Sequence, residues 1–318
     1  MNVNERKQKF LEYEGSSVCP KDFDEYWTDA LKEANELDYN EEFLKKEFPS
    51  KIADMYELRY TGTKGARIYA KVAVPKVREG KIPAVLMFHG LPGSSGDWSG
   101  LLKHASQGYL VAFMDVRGQG GLSEDVGGVL GNTYTMPFLR GVDGDKHDLL
   151  MRDVFLDTVI LAKIIMNLDY VDENRVAVTG GSQGGALSVA CACLVPEIKK
   201  CGIYYPYLSD YGYALKNDFK GNAYDGFNYY LRNFDPTHEH VDELMEKLGY
   251  IDIQNLAKWM KAKLLMFTGL LDMSCQPITQ FAMYNKVTSE KDVILYPEYG
   301  HEGMKGAEDI LFKFLSDL

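Results

Sequence analysis

The 318-residue chain contains no apolar run close to the roughly 18 residues that a membrane span requires. Its opening stretch, MNVNERKQKF, also lacks the apolar centre of a secretory signal. Together these absences lead us to expect a cytoplasmic protein. Basic residues are in deficit: 35 Lys and Arg stand against 46 Asp and Glu, a formal net charge of −11. Such a field repels phosphate backbones and anionic lipid, so neither nucleic acid nor a membrane surface is expected as a partner. The five cysteines, Cys19, Cys191, Cys193, Cys201 and Cys275, are odd in number and have neither C-x-x-C nor paired metal-type spacing. That pattern argues against a disulfide framework and fits free thiols in a reducing compartment. Histidine is scarce and scattered, and the aspartates near Asp143 and Asp145 lie in a turn-rich, solvated segment, so no metal site is expected. The Gly118 to Gly121 cluster lacks the spacing into a helix that a phosphate or dinucleotide loop needs, and no cofactor is expected.

What remains is an ordinary globular composition, 46% hydrophobic and 25% charged, with enough chain to bury a large core. Residues 1 to about 50 read as an N-terminal helical extension. Its clearest part runs from Phe23 through Trp27 to Ala34, where apolar positions recur every three or four residues. From Met55 to Val74 the pattern alternates around a turn at Thr61 to Gly65, which predicts an antiparallel hairpin at a sheet edge. Short apolar runs follow at Val85 to Phe88, Val111 to Met114, Val176 to Thr179, Ile203 to Tyr205, Leu264 to Thr268 and Val293 to Tyr296. Runs of this length, rich in branched and aromatic residues, suit strands buried on both faces. Helical stretches at Asp153 to Leu168 and Gly184 to Leu194 separate some of them. The expected fold is therefore α/β, a mostly parallel twisted sheet with helices on both faces in a single domain spanning 1–318. A tyrosine-rich insertion at about 206–262, with Tyr207, Tyr211, Tyr213, Tyr224, Tyr229 and Tyr230, is expected either to cover part of the site or to serve as ordinary packing.

The chemistry centres on Gly180-Gly181-Ser182-Gln183-Gly184, preceded by an apolar strand and followed by an alanine-rich helix. A serine on so sharp a strand-to-helix turn projects its hydroxyl above the sheet, as in the nucleophile elbow of α/β-hydrolases. The flanking glycines relieve crowding there. The helix start aims free N–H groups and the positive end of the helix dipole at the place where acyl transfer develops negative charge. A serine nucleophile needs a base, and in this fold the acid and then the histidine follow the serine in chain order. Of His89, His104, His147, His238, His240 and His301, only His301 follows the last strand. Asp272, just beyond the preceding strand, is the acid expected to hold the imidazole tautomer, ahead of Glu302, which neighbours the histidine too closely. Gln183 N–H supplies one oxyanion donor. In the loop His89-Gly90-Leu91-Pro92-Gly93, Pro92 has no N–H, which leaves Leu91 as the second. His89 reads as a brace for that turn.

These residues resemble the acetyl xylan esterase and cephalosporin C deacetylase group, carbohydrate esterase family seven. The resemblance rests on Arg117-Gly118-Gln119, Gly180-Gly181-Ser182-Gln183-Gly184, His301-Glu302, Asp272 followed by Cys275 and Pro277, and the leading Asp22-Phe23-Asp24-Glu25-Tyr26-Trp27. It spans nearly the whole chain. It implies Ser182, Asp272 and His301 as triad, Leu91 and Gln183 as oxyanion donors, and Arg117 as a structural brace. It also implies deacetylation of small acetylated sugars and of cephalosporin C by a homo-hexamer. The chain departs at Leu91, where the family commonly has tyrosine, so the backbone donor is retained while the wall of the acyl pocket changes. Gln276 also replaces a common proline. A serine peptidase or amidase of the same fold would keep the triad, and a noncatalytic binding protein would ordinarily have lost a member of it.

Overall fold

The computed structural model describes residues 3–128, 136–217 and 223–318. The second gap falls inside the tyrosine-rich insertion. Among the described residues nine strands form one sheet: β1 (Glu42–Lys46), β2 (Ala53–Thr61), β3 (Arg67–Pro75), β4 (Ile82–Phe88), β5 (Leu110–Met114), β6 (Val171–Gly181), β7 (Lys200–Tyr204), β8 (Lys263–Gly269) and β9 (Lys291–Tyr296). Their order is β1-β2-β3-β5-β4-β6-β7-β8-β9. The pairs from β5 to β9 are parallel, whereas β1, β2 and β3 add antiparallel neighbours to one side. The helices are α1 (Val3–Leu11), α2 (Phe23–Glu36), α3 (Leu102–Ala105), α4 (Leu150–Met166), α5 (Gln183–Leu194), α6 (Tyr211–Lys216), α7 (Gly226–Phe234), α8 (Val241–Gly249), α9 (Ile253–Leu256), α10 (Pro277–Lys286) and α11 (Ala307–Leu315). None of the described helices is long and apolar enough to cross a membrane.

The parallel strands are apolar because both faces are covered. Leu86 and Val178 join the core that α4 and α5 bury, while Val85 and Ala177, one residue away, belong to the cluster beneath α11. Side chains that alternate between two apolar layers require the continuous runs seen in the sequence. α5 is buried along its whole length, as its alanine, cysteine and leucine content demands.

Two expectations change. The hairpin of β2 and β3 is not the sheet edge, because β1 pairs outside β2 in the register Glu42↔Arg59 to Lys46↔Met55. The end of the stretch read as a helical extension is therefore a strand. Its sequence, EFLKK, is mostly exposed and charged, the composition expected of an edge that must resist further pairing. Before it, α2 does cap the fold: Trp27 is fully buried, lies against Phe155 of α4 and donates its indole N–H to Tyr250 O at 2.9 Å.

The insertion carries α6 to α9. Tyr207, Tyr211 and Tyr224 are buried around Phe138, with ring centroids 6.2, 5.2 and 6.1 Å from it. For these rings the packing reading is the correct one. Tyr207 and Tyr224 direct their hydroxyls to the carbonyls of Ala223 and Ser209, which satisfies the polar tip of a buried ring. Asp210 fixes the start of α6 and ties the N-terminal segment to the insertion, accepting from Tyr13 Oη (2.6 Å), Ser16 N (3.0 Å) and Ser16 Oγ (2.9 Å).

Candidate active site

β4 and β6 are neighbours in the sheet, yet β5 lies to one side of β4 while β6 lies to the other. The chain thus reverses its direction of travel across the sheet at this point, the place where open α/β sheets leave a crevice beyond their strand ends. Ser182 sits there, between β6 and α5, with φ 57° and ψ −121°. A non-glycine residue in this region is strained and persists only where its surroundings hold it. Three backbone bonds do so: Ser182 N–H donates to Tyr204 O (3.0 Å), and Ser182 O accepts from Ala186 N–H (3.1 Å) and Tyr207 N–H (3.1 Å). The glycines flanking the motif are set by contact distance. A Cβ at Gly184 would lie 2.0 Å from Phe88 O, and one at Gly180 would lie 2.5 Å from the same atom.

Asp272 follows β8 and His301 follows β9, and their side chains meet with Nδ1 2.8 Å from Oδ2. The aspartate is 1% exposed. Its Oδ1 accepts from the N–H groups of Ser274 (2.9 Å) and Cys275 (2.8 Å), so the carboxylate acts as an acceptor on both oxygens. Nδ1 must then carry the imidazole proton, which leaves Nε2 as the basic nitrogen. The two loops are joined by Leu271 N–H donating to Tyr299 O (2.9 Å), and a Cβ at Gly269 would come within 2.5 Å of Tyr299 O and Gly300 O. Glu302, the competing acid, instead accepts from Gly300 N–H at 3.0 Å.

The loop after β4 lies against the elbow, since a Cβ on Gly90 would be 3.7 Å from that of Ser182. Gly93 spends its N–H on Gly90 O (2.7 Å), while the N–H of Leu91 is in no backbone bond among the described residues. Gln183 opens α5, where the first N–H groups have no intrahelical partner. His89 braces this loop. Its Nε2 accepts from Val116 N–H (3.0 Å), so Nδ1 donates to Gly90 O (2.9 Å), and burial holds the imidazole below its usual pKa. Arg117 is a brace as well: fully buried, it donates to both carboxylate oxygens of Asp157 (2.5 and 2.7 Å) and to Thr63 O (3.0 Å).

Three side-chain arrangements around the site, those of Tyr205, Cys275 and the Gln119–Gln183 pair, have no counterpart in any local sequence pattern. Tyr205 follows β7 with φ 34° and packs its ring 4.4 Å from that of His301. Cys275 interacts with both Asp272 and Ser182. Burial and the Asp272 charge push its thiol well up, while a hydrogen bond with the Ser182 side chain opposes them. A thiol so disposed is inert as a nucleophile. Finally, Gln119 and Gln183 exchange two amide hydrogen bonds, both 2.9 Å. This pair couples Arg117-Gly118-Gln119 to the serine motif and locks Gln183, whose side chain is fully buried. Among the described residues no group of three or more His, Cys, Asp or Glu is placed to hold a metal ion.

A mostly parallel sheet with a strained serine between strand and helix, and an aspartate–histidine pair leaving the next strands, defines the α/β-hydrolase class. Within that class the chain belongs to the acetyl xylan esterase family, a family of carboxylic ester hydrolases whose model matches residues 3–318. Acetyl xylan esterase 1 from Thermoanaerobacterium sp. JW/SL YS485 is 48% identical, with a TM-score of 0.96 over 100% of this chain and 98% of that one. An acetyl xylan esterase from Paenibacillus sp. R4 is 30% identical, with a TM-score of 0.93 over 100% and 99%. Among curated proteins, acetyl esterase Axe7A of Xylanibacter ruminicola is 27% identical over 295 residues, 89% of this chain. The match spans 63% of that protein's length.

Proposed function

We propose that the protein is a serine carboxylesterase that removes acetyl groups from small acetylated substrates, such as acetylated xylo-oligosaccharides and cephalosporin C-like esters. The observation that carries the reading is the 2.8 Å Asp272–His301 bond at the same end of the sheet as a serine held at φ 57° at its switch point. In the proposed reaction His301 Nε2 takes the Ser182 proton as the hydroxyl attacks the ester carbonyl. The Leu91 and Gln183 N–H groups receive the oxyanion, and Asp272 stabilises the imidazolium. His301 then returns the proton to the leaving alcohol. Water activated by the same imidazole hydrolyses the acetyl-enzyme, releasing acetate. No step requires a cofactor.

Leu91 is the residue on which acyl preference turns. It is half-buried and packs against the main core, so its side chain shapes the wall beside its own N–H. The reading also includes a cytoplasmic location, supported by five cysteines that are all free, and a homo-oligomer, taken as a hexamer from the family resemblance.

Acetate release from acetylated xylo-oligosaccharides, cephalosporin C and longer acyl esters tests this. The expected result is fastest turnover of acetyl esters, reduced in Ser182→Ala by a factor on the order of 10⁶. Retained activity in that variant, or hydrolysis of peptide anilides without acetate release, would overturn it.

A further inference from the structure

Tyr205 stands where a glycine would be easier to place. It follows β7 at φ 34°, in the left-handed region that is most costly for a bulky side chain. Backbone bonds hold it there. Its N–H donates to Phe267 O of β8 (2.8 Å), and its neighbours are tied to the serine: Tyr204 O accepts from Ser182 N–H (3.0 Å), and Tyr207 N–H donates to Ser182 O (3.1 Å). Strain retained at a bulky residue points to a use for its side chain.

The ring touches the serine motif and the base together. Its Cε2 lies 3.3 Å and its Oη 3.6 Å from a Cβ built on Gly181, the residue before Ser182. Its centroid is 4.4 Å from that of the His301 ring, with 48° between the planes. Burial and then the Asp272 charge raise the pKa of the phenol, so the hydroxyl stays protonated and supplies no base. Contact is what the ring contributes. The Asp272 bond fixes only Nδ1 of the imidazole, and the opposite side of that ring can still pivot about it. The His301 side chain is 25% exposed, whereas that of Asp272 is fully buried. Room for such a pivot lies close by: a cavity of about 450 Å³ is lined by Gly181, Tyr205, Gly303 and Met304 among others, and His301 is not in its wall. Tyr205 therefore meets the open space and the imidazole both. A displacement of about 1 Å at a catalytic group costs up to about 10²-fold in rate, so restraint of this pivot has a kinetic consequence.

We propose that Tyr205 is a positioning residue for acyl transfer, whose ring keeps the His301 imidazole out of that cavity and holds its Nε2 toward Ser182. The proposal rests on the esterase reading. The experiment measures hydrolysis of p-nitrophenyl acetate and the rate of fluorophosphonate labelling in the full-length wild type, Tyr205→Gly and Tyr205→Phe. Glycine adopts a positive φ without strain, so that variant removes the ring and leaves the turn, whereas phenylalanine keeps the ring and removes the hydroxyl. The expected result is a kcat about 10- to 100-fold lower in Tyr205→Gly with KM within about twofold, a parallel loss in labelling rate, and recovery of most of both in Tyr205→Phe. A part in folding alone would lower the melting temperature and the amount of labelled protein while leaving kcat per labelled site unchanged. That outcome, a loss confined to KM, or an equal loss in Tyr205→Phe would overturn the proposal. Should Tyr205→Gly fail to fold, Tyr205→Asn, which also tolerates a positive φ, is judged by the same outcomes. Failure of the esterase reading itself looks different: the wild type would neither release acetate nor take the label on Ser182.

Discussion

Replacing Gly184 by alanine separates the roles of the elbow from those of the surrounding core. The added Cβ would lie 2.0 Å from Phe88 O, 2.6 Å from Phe88 C and 3.1 Å from His89 C, all backbone atoms at the end of β4. No side chain can rotate away to make room. To restore ordinary contact, the start of α5 must withdraw from β4 by more than about 1 Å, and overpacking of this kind destabilises by roughly 1–3 kcal/mol. The same displacement moves Gln183 N–H away from the loop that carries Leu91. Loss of one oxyanion donor raises the barrier by about 2.7–4 kcal/mol, so kcat for acetyl ester hydrolysis should fall about 10²–10³-fold in protein that still folds. Hydrolysis of p-nitrophenyl acetate, read beside thermal melting and circular dichroism, measures both effects. Wild-type kcat in natively folded Gly184→Ala protein would refute the link between the tight turn and the oxyanion donor.

Two further outcomes are expected. Gln119→Ala leaves the buried amide of Gln183 without its two partners, which costs about 1–3 kcal/mol, and kcat should fall more than KM rises. An unchanged kcat would show that the amide pair does not position the donor. His104, whose pKa is pushed down to about 4 by burial and by Lys103, binds fewer protons folded than unfolded. Its contribution is therefore present above the unfolded value near 6.5 and is lost as the pH falls toward 4, by about 3 kcal/mol in all. Urea denaturation at several pH values should show this loss in the wild type and a flatter profile in His104→Phe; parallel profiles would refute it.

Where each face of an element meets a uniform environment, the sequence was readable. The doubly buried strands appear as apolar runs, and Ser182 directly follows one of them while Asp272 and His301 lie in the loops after two others, so strand order alone brings these three residues to the same end of the sheet. β1 was illegible because an exposed edge strand of charged residues has no apolar period. The insertion's tyrosines could not be assigned to wall or core, since the same ring serves either, and packing around Phe138 decides it for Tyr207, Tyr211 and Tyr224. Gln119 and Gln183 lie far apart in the chain, and nothing in either residue's neighbours announces a reciprocal amide pair. Tyr205 was hidden at the end of an apolar run, where an aromatic residue is expected on packing grounds alone.

The central claim is that Ser182 is the nucleophile, activated by His301 under the orientation of Asp272. Fluorophosphonate labelling followed by peptide mapping tests it most directly, because the reagent reacts with a serine only where a base and an oxyanion site are assembled around it. The expected result is one adduct per chain, on Ser182, absent in Ser182→Ala and strongly slowed in His301→Ala. An adduct on another residue, or acetyl ester hydrolysis by protein whose Ser182 stays unlabelled, would contradict it.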